Sequence, residues 1–175
     1  MMKKTFLSLL AIAAISLAGC FEESISVTVP GTYTTSFTIK APIPAQAVDT
    51  AASSTIITEN EDFKKLNVTV DNVESAKLTS LKLTITSPAG TTFAALKSAS
   101  FIIKDAAGNM ITVASIPETM NKDVTELEVE LYDQDFAPFV KTGEITLLAA
   151  VETITAIDKD INITAVLVTD IKVKP

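Results

Sequence analysis

Histidine and tryptophan are absent from the 175 residues, all 14 basic side chains are lysines, and cysteine occurs once. Each gap excludes some chemistry. Without histidine there is no side chain that ordinarily titrates near neutral pH, so a Ser-His-Asp triad and an imidazole metal ligand are both excluded. Without arginine there is no planar fork to hold phosphate or carboxylate in two places. Without tryptophan the largest sugar-stacking face is missing, which leaves Tyr33 and Tyr132 for that work. A single cysteine permits no internal disulfide, so the fold must stand on an ordinary core. The net charge of −7 repels a nucleic-acid backbone, and no nucleic-acid partner is expected.

The N-terminus divides into three parts. Lys3 and Lys4 are followed by an apolar stretch over residues 6–18, broken only by Ser8 and Ser16, and then by Leu17-Ala18-Gly19-Cys20. The stretch is shorter than the roughly 20 residues of a membrane-spanning helix and has the length of a signal-peptide core. This segment resembles the lipobox of bacterial lipoproteins. The resemblance implies cleavage before Cys20, a diacylglycerol on its thiol and acylation of the new amino terminus. The chain then divides into a signal peptide (1–19), a lipidated cysteine with a short tether (20–23) and one domain (24–175). Loss of residues 1–19 leaves 156 residues and takes the net charge to −9. Two or three acyl chains suffice for stable anchoring, where one holds only marginally. The implied partner is therefore a membrane, reached through lipid on Cys20. The expected location is the outer membrane. Glu22 and Glu23, close behind the cysteine, partly resemble acidic signals that send some lipoproteins to the cell surface, so surface and periplasmic faces both stay open.

Beyond the tether the dominant pattern is alternation with period 2, the mark of a half-buried strand. Residues 24–29 and 33–39 alternate, and Pro30-Gly31 between them reads as the turn of a hairpin. Residues 40–54, rich in Ala, Pro and Ser, read as a long loop. Thr58 and Glu61 match a capping box for a short helix containing Phe63 and Leu66, and Leu66, Val68 and Val70 suggest a short strand after it. Leu81, Leu83 and Ile85 share a face. Leu78 has the opposite parity, which predicts a bulge near Thr79 or Ser80. Pro88-Ala89-Gly90 is a turn, and residues 99–104 and 110–115 form a hairpin around the Gly108-Asn109 turn. Residues 125–132 read as one strand with Leu127, Val129 and Leu131 inward and Glu126, Glu128 and Glu130 outward. Asp135 is placed to cap a helical turn through Phe136 and Phe139 that ends at Gly143. Residues 145–151 and 161–173 are the last strands. The four glycines after Cys20 all read as turn residues.

About eight or nine short strands with regular turn signals predict an all-β protein. The expected form is an antiparallel sandwich in immunoglobulin-like, Greek-key style with one or two short helical insertions; a closed barrel is the rival. The run LTSLKLTITSPAGTTFAALKSASFIIK (residues 78–104), together with the hairpin and the alternating strand after it, resembles small uncharacterised envelope lipoproteins of Gram-negative bacteria. The resemblance spans residue 76 to the C-terminus. It implies a β-sandwich and carries no catalytic residues.

The polar residues offer few constellations. Glu126, Glu128 and Glu130 share a strand face, where neighbouring carboxylates repel and a solvated surface is the plain reading. Asp133 with Asp135, and Asp158 with Asp160, are the best calcium candidates, but two carboxylates per loop fall short of six to eight ligands, and no metal or cofactor is expected. Asp49-Thr50-Ala51 resembles a three-residue O-glycosylation acceptor of one bacterial phylum and makes Thr50 a candidate modification site in the long loop. Asn67-Val68-Thr69 and Asn162-Ile163-Thr164 match the N-glycosylation acceptor, which most bacteria do not use. A Ser-Lys dyad has no supporting motif. The expected function is a lipid-anchored, non-enzymatic envelope protein that binds or assembles, with another envelope protein or a glycan as partner. The alternatives are a carbohydrate-binding accessory lipoprotein and a hydrolase built on carboxylates alone.

Overall fold

The computed structural model describes residues 26–56 and 61–174. The expected signal peptide, Cys20, the expected tether, the first residues of the predicted opening strand and Thr58 of the predicted capping box lie outside them. The described residues form nine strands: β1 Val27–Ile39, β2 Val48–Ile56, β3 Val73–Ser87, β4 Leu96–Asp105, β5 Met110–Ile116, β6 Glu126–Glu128, β7 Glu130–Leu131, β8 Glu144–Thr153 and β9 Ile161–Val173. Two short helices, α1 Glu61–Leu66 and α2 Ala137–Val140, complete them. The strands make two antiparallel sheets, ordered β1-β9-β3-β6 and β2-β8-β4-β5-β7. Their inner faces enclose one core containing Leu81, Leu83, Phe93, Phe101, Ile103, Phe136, Ile163 and Ile171. This is the predicted β-sandwich with short helical insertions.

The last two strands occupy central places. β9 lies between β1 and β3, and β8 between β2 and β4. The start of β1 meets the end of β9, with Val27 opposite Val173, and the end of β1 meets its start, with Ile39 opposite Ile161. Both described ends of the chain therefore lie at one end of the sandwich.

Several local predictions hold for the reasons given. The register of β3 against β9 shifts between Leu78 and Ser80, at the predicted bulge. The β4–β5 turn closes through Asp105, whose Oδ1 accepts from Asn109 N (2.8 Å) and whose Oδ2 accepts from Asn109 Nδ2 (2.7 Å). Gly108 there has φ +91°, a backbone that favours glycine. Asp135 Oδ1 accepts from Ala137 N (2.9 Å) at the start of α2, and also from Ala76 N (3.0 Å) on β3. The same carboxylate thus caps the helix and ties it to the sheet.

Four expectations are corrected. Pro30-Gly31 is not a turn: both sit inside the continuous strand β1, opposite Asp170 and Thr169. Proline is tolerated there because β1 is an edge strand, and Gly31 is a strand residue rather than a turn residue. The long loop is shorter than expected, because β2 begins at Val48. Its inward positions are Ala51 and Ser53, both buried, while Val48, Thr50 and Ala52 are exposed. Small inward residues hid the alternation, and they suit a strand that packs close to β1, where the Thr35 and Ser53 hydroxyls are hydrogen-bonded. No strand covers residues 66–70. Asn67 turns the chain with φ +52°, and Val70–Asn72 is a 3-10 turn in which Asn72 Oδ1 accepts from Thr69 N (2.8 Å). Finally, residues 125–132 are two strands. β6 pairs with β3, with Leu127 opposite Leu83, whereas β7 pairs with β5, with Leu131 opposite Ala114. Val129 sits at the crossing, buried, and donates its N–H to Leu81 O at 3.2 Å. The inward and outward faces survive the crossing because both sheets enclose the same core.

Candidate functional site

An apolar recess opens between the sheets beneath β1. Leu78 and Leu167 line it from one sheet and Ile103, Ile145 and Leu147 from the other, with Phe136 beside α2. It is narrow, with room for about one water molecule. The described lining side chains include no charge. Tyr33 and Thr169 complete the lining, whose surface is almost wholly apolar.

The hydroxyls of Tyr33 and Thr169 crowd Gly31. A β-carbon at Gly31 would lie 2.6 Å from Tyr33 Cε2 and 2.8 Å from both Tyr33 Oη and Thr169 Oγ1. The missing side chain is what lets the Tyr33 ring fold back along its own strand, since residues two apart share a face. Thr169 is 2% exposed, and its Oγ1 has no hydrogen-bond partner. A buried hydroxyl without a partner costs about 1–3 kcal/mol, so its place in this recess is a structural anomaly. Sequence reasoning missed it, although the signal was available: Thr169 is a hydroxyl on the inward parity of β9, between Leu167 and Ile171.

The residues singled out in the sequence are not brought together. Glu126 pairs with Lys82 Nζ at 2.5 Å, Glu128 accepts from Ser80 Oγ at 3.4 Å, and Glu130 stands on the other sheet. Asp133 pairs with Lys77 (2.5 Å), while Asp135 serves α2 and β3. Asp160 accepts from Lys40 Nζ (2.7 Å) and Ala41 N (2.9 Å), and Asp158 is exposed. Among the described residues no three metal-ligating side chains group together. Thr50 is exposed but belongs to edge strand β2, not to a loop. Asn67 and Asn162 are both exposed, and Asn162 Oδ1 accepts from Thr38 Oγ1 at 2.7 Å.

Several carboxyls are held below their usual range. For Asp105 the first cause is the hydrogen bond from Asn109; for Glu152 it is that from Lys97; for Asp160 it is that from Lys40. For Asp135 burial pushes upward, but the N–H groups of Ala76 and Ala137, the Ser75 hydroxyl and the charge of Lys77 prevail and lower it. A general acid working near neutral pH needs the opposite shift. Lys122 is also committed: its ammonium donates to the carbonyls of Glu118 (2.8 Å), Lys97 (2.9 Å) and Pro117 (3.3 Å). Among the described residues no helix is long and apolar enough to cross a membrane. No family model, curated protein or solved structure matches the chain.

Proposed function

We propose that this is a lipid-anchored envelope protein, held in the outer membrane through Cys20, that works by binding or assembly rather than by catalysis. The observation that carries the anchor is Leu17-Ala18-Gly19-Cys20 behind a lysine-headed apolar stretch. The short step from Cys20 to the first strand supports it. Six residues, 21–26, lie between Cys20 and Val27, where β1 begins, and the seven steps from one to the other reach about 25 Å at most at roughly 3.3–3.6 Å per residue. A domain so tethered works against its membrane or a partner embedded there. β1 starts at the near end, so the loops 40–47, 88–92, 117–125 and 154–160 face away from the bilayer. The binding role draws support from the sandwich fold and from the lack of histidine, which removes the usual general base.

Changing Cys20 to Ser tests the anchor. Metabolic lipid labelling should disappear, and the protein should accumulate uncleaved or in soluble form. A variant that still carries label and sediments with membranes refutes the reading. Protease added to intact cells then assigns the face: digestion places the domain at the surface, and survival until the outer membrane is broken places it in the periplasm. If Glu22 and Glu23 act as an export signal, changing both to Ala abolishes digestion in intact cells.

A further inference from the structure

The outer faces of the two sheets differ in kind. On the four-stranded sheet Lys82, Glu126, Glu128, Asp170 and Lys172 stand exposed, as the outside of a sandwich ordinarily does. On the five-stranded sheet the middle of the outer face carries no charge, and the register builds it row by row. Ala52, Leu148, Ile102 and Thr112 form one row across β2, β8, β4 and β5. Thr50, Ala150, Ser100 and Ser115 form the next. Leu148 and Ile102, at the centre, are partly exposed. Val48 and Met110 point out from the same face, and Tyr132 Oη reaches it by donating to Ser115 Oγ at 3.1 Å. Those three are among the five exposed large apolar side chains of the described residues.

On the two central strands charge stands only at the ends of the face, and it is sorted by strand. β8 presents Glu144 and Glu152, while β4 presents Lys97 and Lys104. Lys97 and Glu152 already pair within one chain at 3.0 Å. We propose that the chain self-associates through this face, as a dimer whose two-fold axis runs along the strands between β8 and β4. The inference rests on the assembly role proposed above and names the partner as a second copy. That axis sets β8 against the β4 of the other copy. Leu148 then faces Ile102, Ala150 faces Ser100, Glu152 faces Lys97 and Glu144 comes beside Lys104, each across the interface. Val48 at one edge comes toward Tyr132 at the other. A two-fold contact of this kind closes at two copies. β2, β8, β4 and β5 span about 20 Å at roughly 4.8 Å per strand, and the rows run about 25 Å along them, so each copy covers roughly 500 Å². The pair together reaches about 1,000 Å², the lower limit for a specific interface. The axis also keeps the Val27 and Val173 ends of both copies on one side, where both proposed tethers reach one membrane.

The test is cross-linking of the full chain in its membrane by a bis-maleimide about as long as the ~10 Å between packed sheets. Ala150→Cys puts a thiol beside the axis, and Val166→Cys puts one on the outer face of the other sheet. Ala150→Cys should give a species of twice the mass and Val166→Cys should not. Leu148→Glu, which buries a carboxylate in the centre of the dimer, should lower the cross-link about tenfold or more while circular dichroism shows the fold intact. Lys104→Glu should lower it about 2- to 30-fold, as two exposed ion pairs are lost, and adding Glu144→Lys should restore it. If Leu148→Glu fails to fold, the Lys104→Glu loss and its rescue decide. Four results overturn the proposal: Ala150→Cys stays monomeric, both thiols cross-link alike, the product has the mass of a different partner, or neither charge change alters the yield. The wild-type chain is the blank. A cross-link there means a free Cys20 thiol and counts against the anchor, and the series is then read in the Cys20→Ser chain. Labelled protein without a cross-link sinks the dimer alone, so the two readings fail separately.

Discussion

Gly31→Ala separates the strand from the turn that the Pro-Gly pair suggests. In β1 the backbone at Gly31 is extended and paired with Thr169, a conformation alanine adopts freely, so the obstacle to alanine is the neighbouring side chains. Its β-carbon would lie 2.6 Å from the Tyr33 ring. Overpacking of this kind costs roughly 1–3 kcal/mol, while replacing glycine narrows the unfolded ensemble and returns about 0.4–1 kcal/mol. A net loss of about 1–2 kcal/mol is expected. In a Tyr33→Ala background the nearest obstacle is gone and only the Thr169 hydroxyl remains close, so the same substitution should cost about 0.5 kcal/mol or less. The coupling between the two sites, read from urea unfolding of the four proteins, should therefore be about 0.5–2 kcal/mol. A turn that needed glycine for a positive φ would charge its cost in both backgrounds. Equal losses with and without Tyr33 would refute the strand account, and with it the bed that Gly31 provides for the ring.

Leu127→Ala, which empties a position 6% exposed, should cost about 2–5 kcal/mol in urea unfolding, whereas Glu128→Ala on the exposed face should cost within about 0.5 kcal/mol; similar losses at both would mean the faces are assigned wrongly. Asp135→Ala should destabilise by about 1 kcal/mol at neutral pH, the usual worth of a helix cap. Because the Asp135 carboxyl is lowered on folding, its contribution is complete above the ordinary value of 3.8 and is lost as the pH falls through its lower folded value. The gap between wild type and variant should narrow in acid, and a gap that widens refutes the assignment. Deleting residues 161–175 removes β9, the shared neighbour of β1 and β3, and should abolish cooperative unfolding followed by circular dichroism; a truncated chain with a sharp transition would show that the sheet does not depend on it.

The class of fold was legible because alternation records a two-layer core directly. Leu127, Val129 and Leu131 face inward even though their strand changes sheets at Val129, since burial depends on the core and not on which neighbour supplies the hydrogen bonds. Signals with a local cause also survived: the Asp105–Asn109 turn, the Asp135 cap and the parity break that marks the bulge at Leu78 and Ser80. The failures depended on distant partners. Pro30-Gly31 has the composition of a turn, and nothing nearby says that Tyr33 will lie over the glycine or that β9 will run unbroken alongside. β2 was hidden because Ala51 and Ser53, facing the core, are less apolar than the exposed Val48. The recess was hidden for a related reason: its polar corner joins Tyr33 to Thr169, residues far apart in the chain.

The order of the strands bears on how such a protein reaches its place. Neither sheet is continuous before its last strand arrives. β8 joins β2 to β4, and β9 joins β1 to β3. The first 143 residues therefore contain strand pairs such as β3–β6 and β4–β5 but not the strand that joins β1 or β2 to the rest of its sheet. Contacts of this separation close large loops and form late. If the chain is exported unfolded, as the proposed anchor requires, it benefits from that delay, because the native sandwich cannot form until β9 has emerged. The same topology brings Val173 beside Val27, so completing the fold draws the end of the chain back to the segment that comes after Cys20. If Cys20 carries lipid as proposed, that closing step also sets the near end of the sandwich toward the membrane and turns the loops 40–47, 88–92, 117–125 and 154–160 away from it.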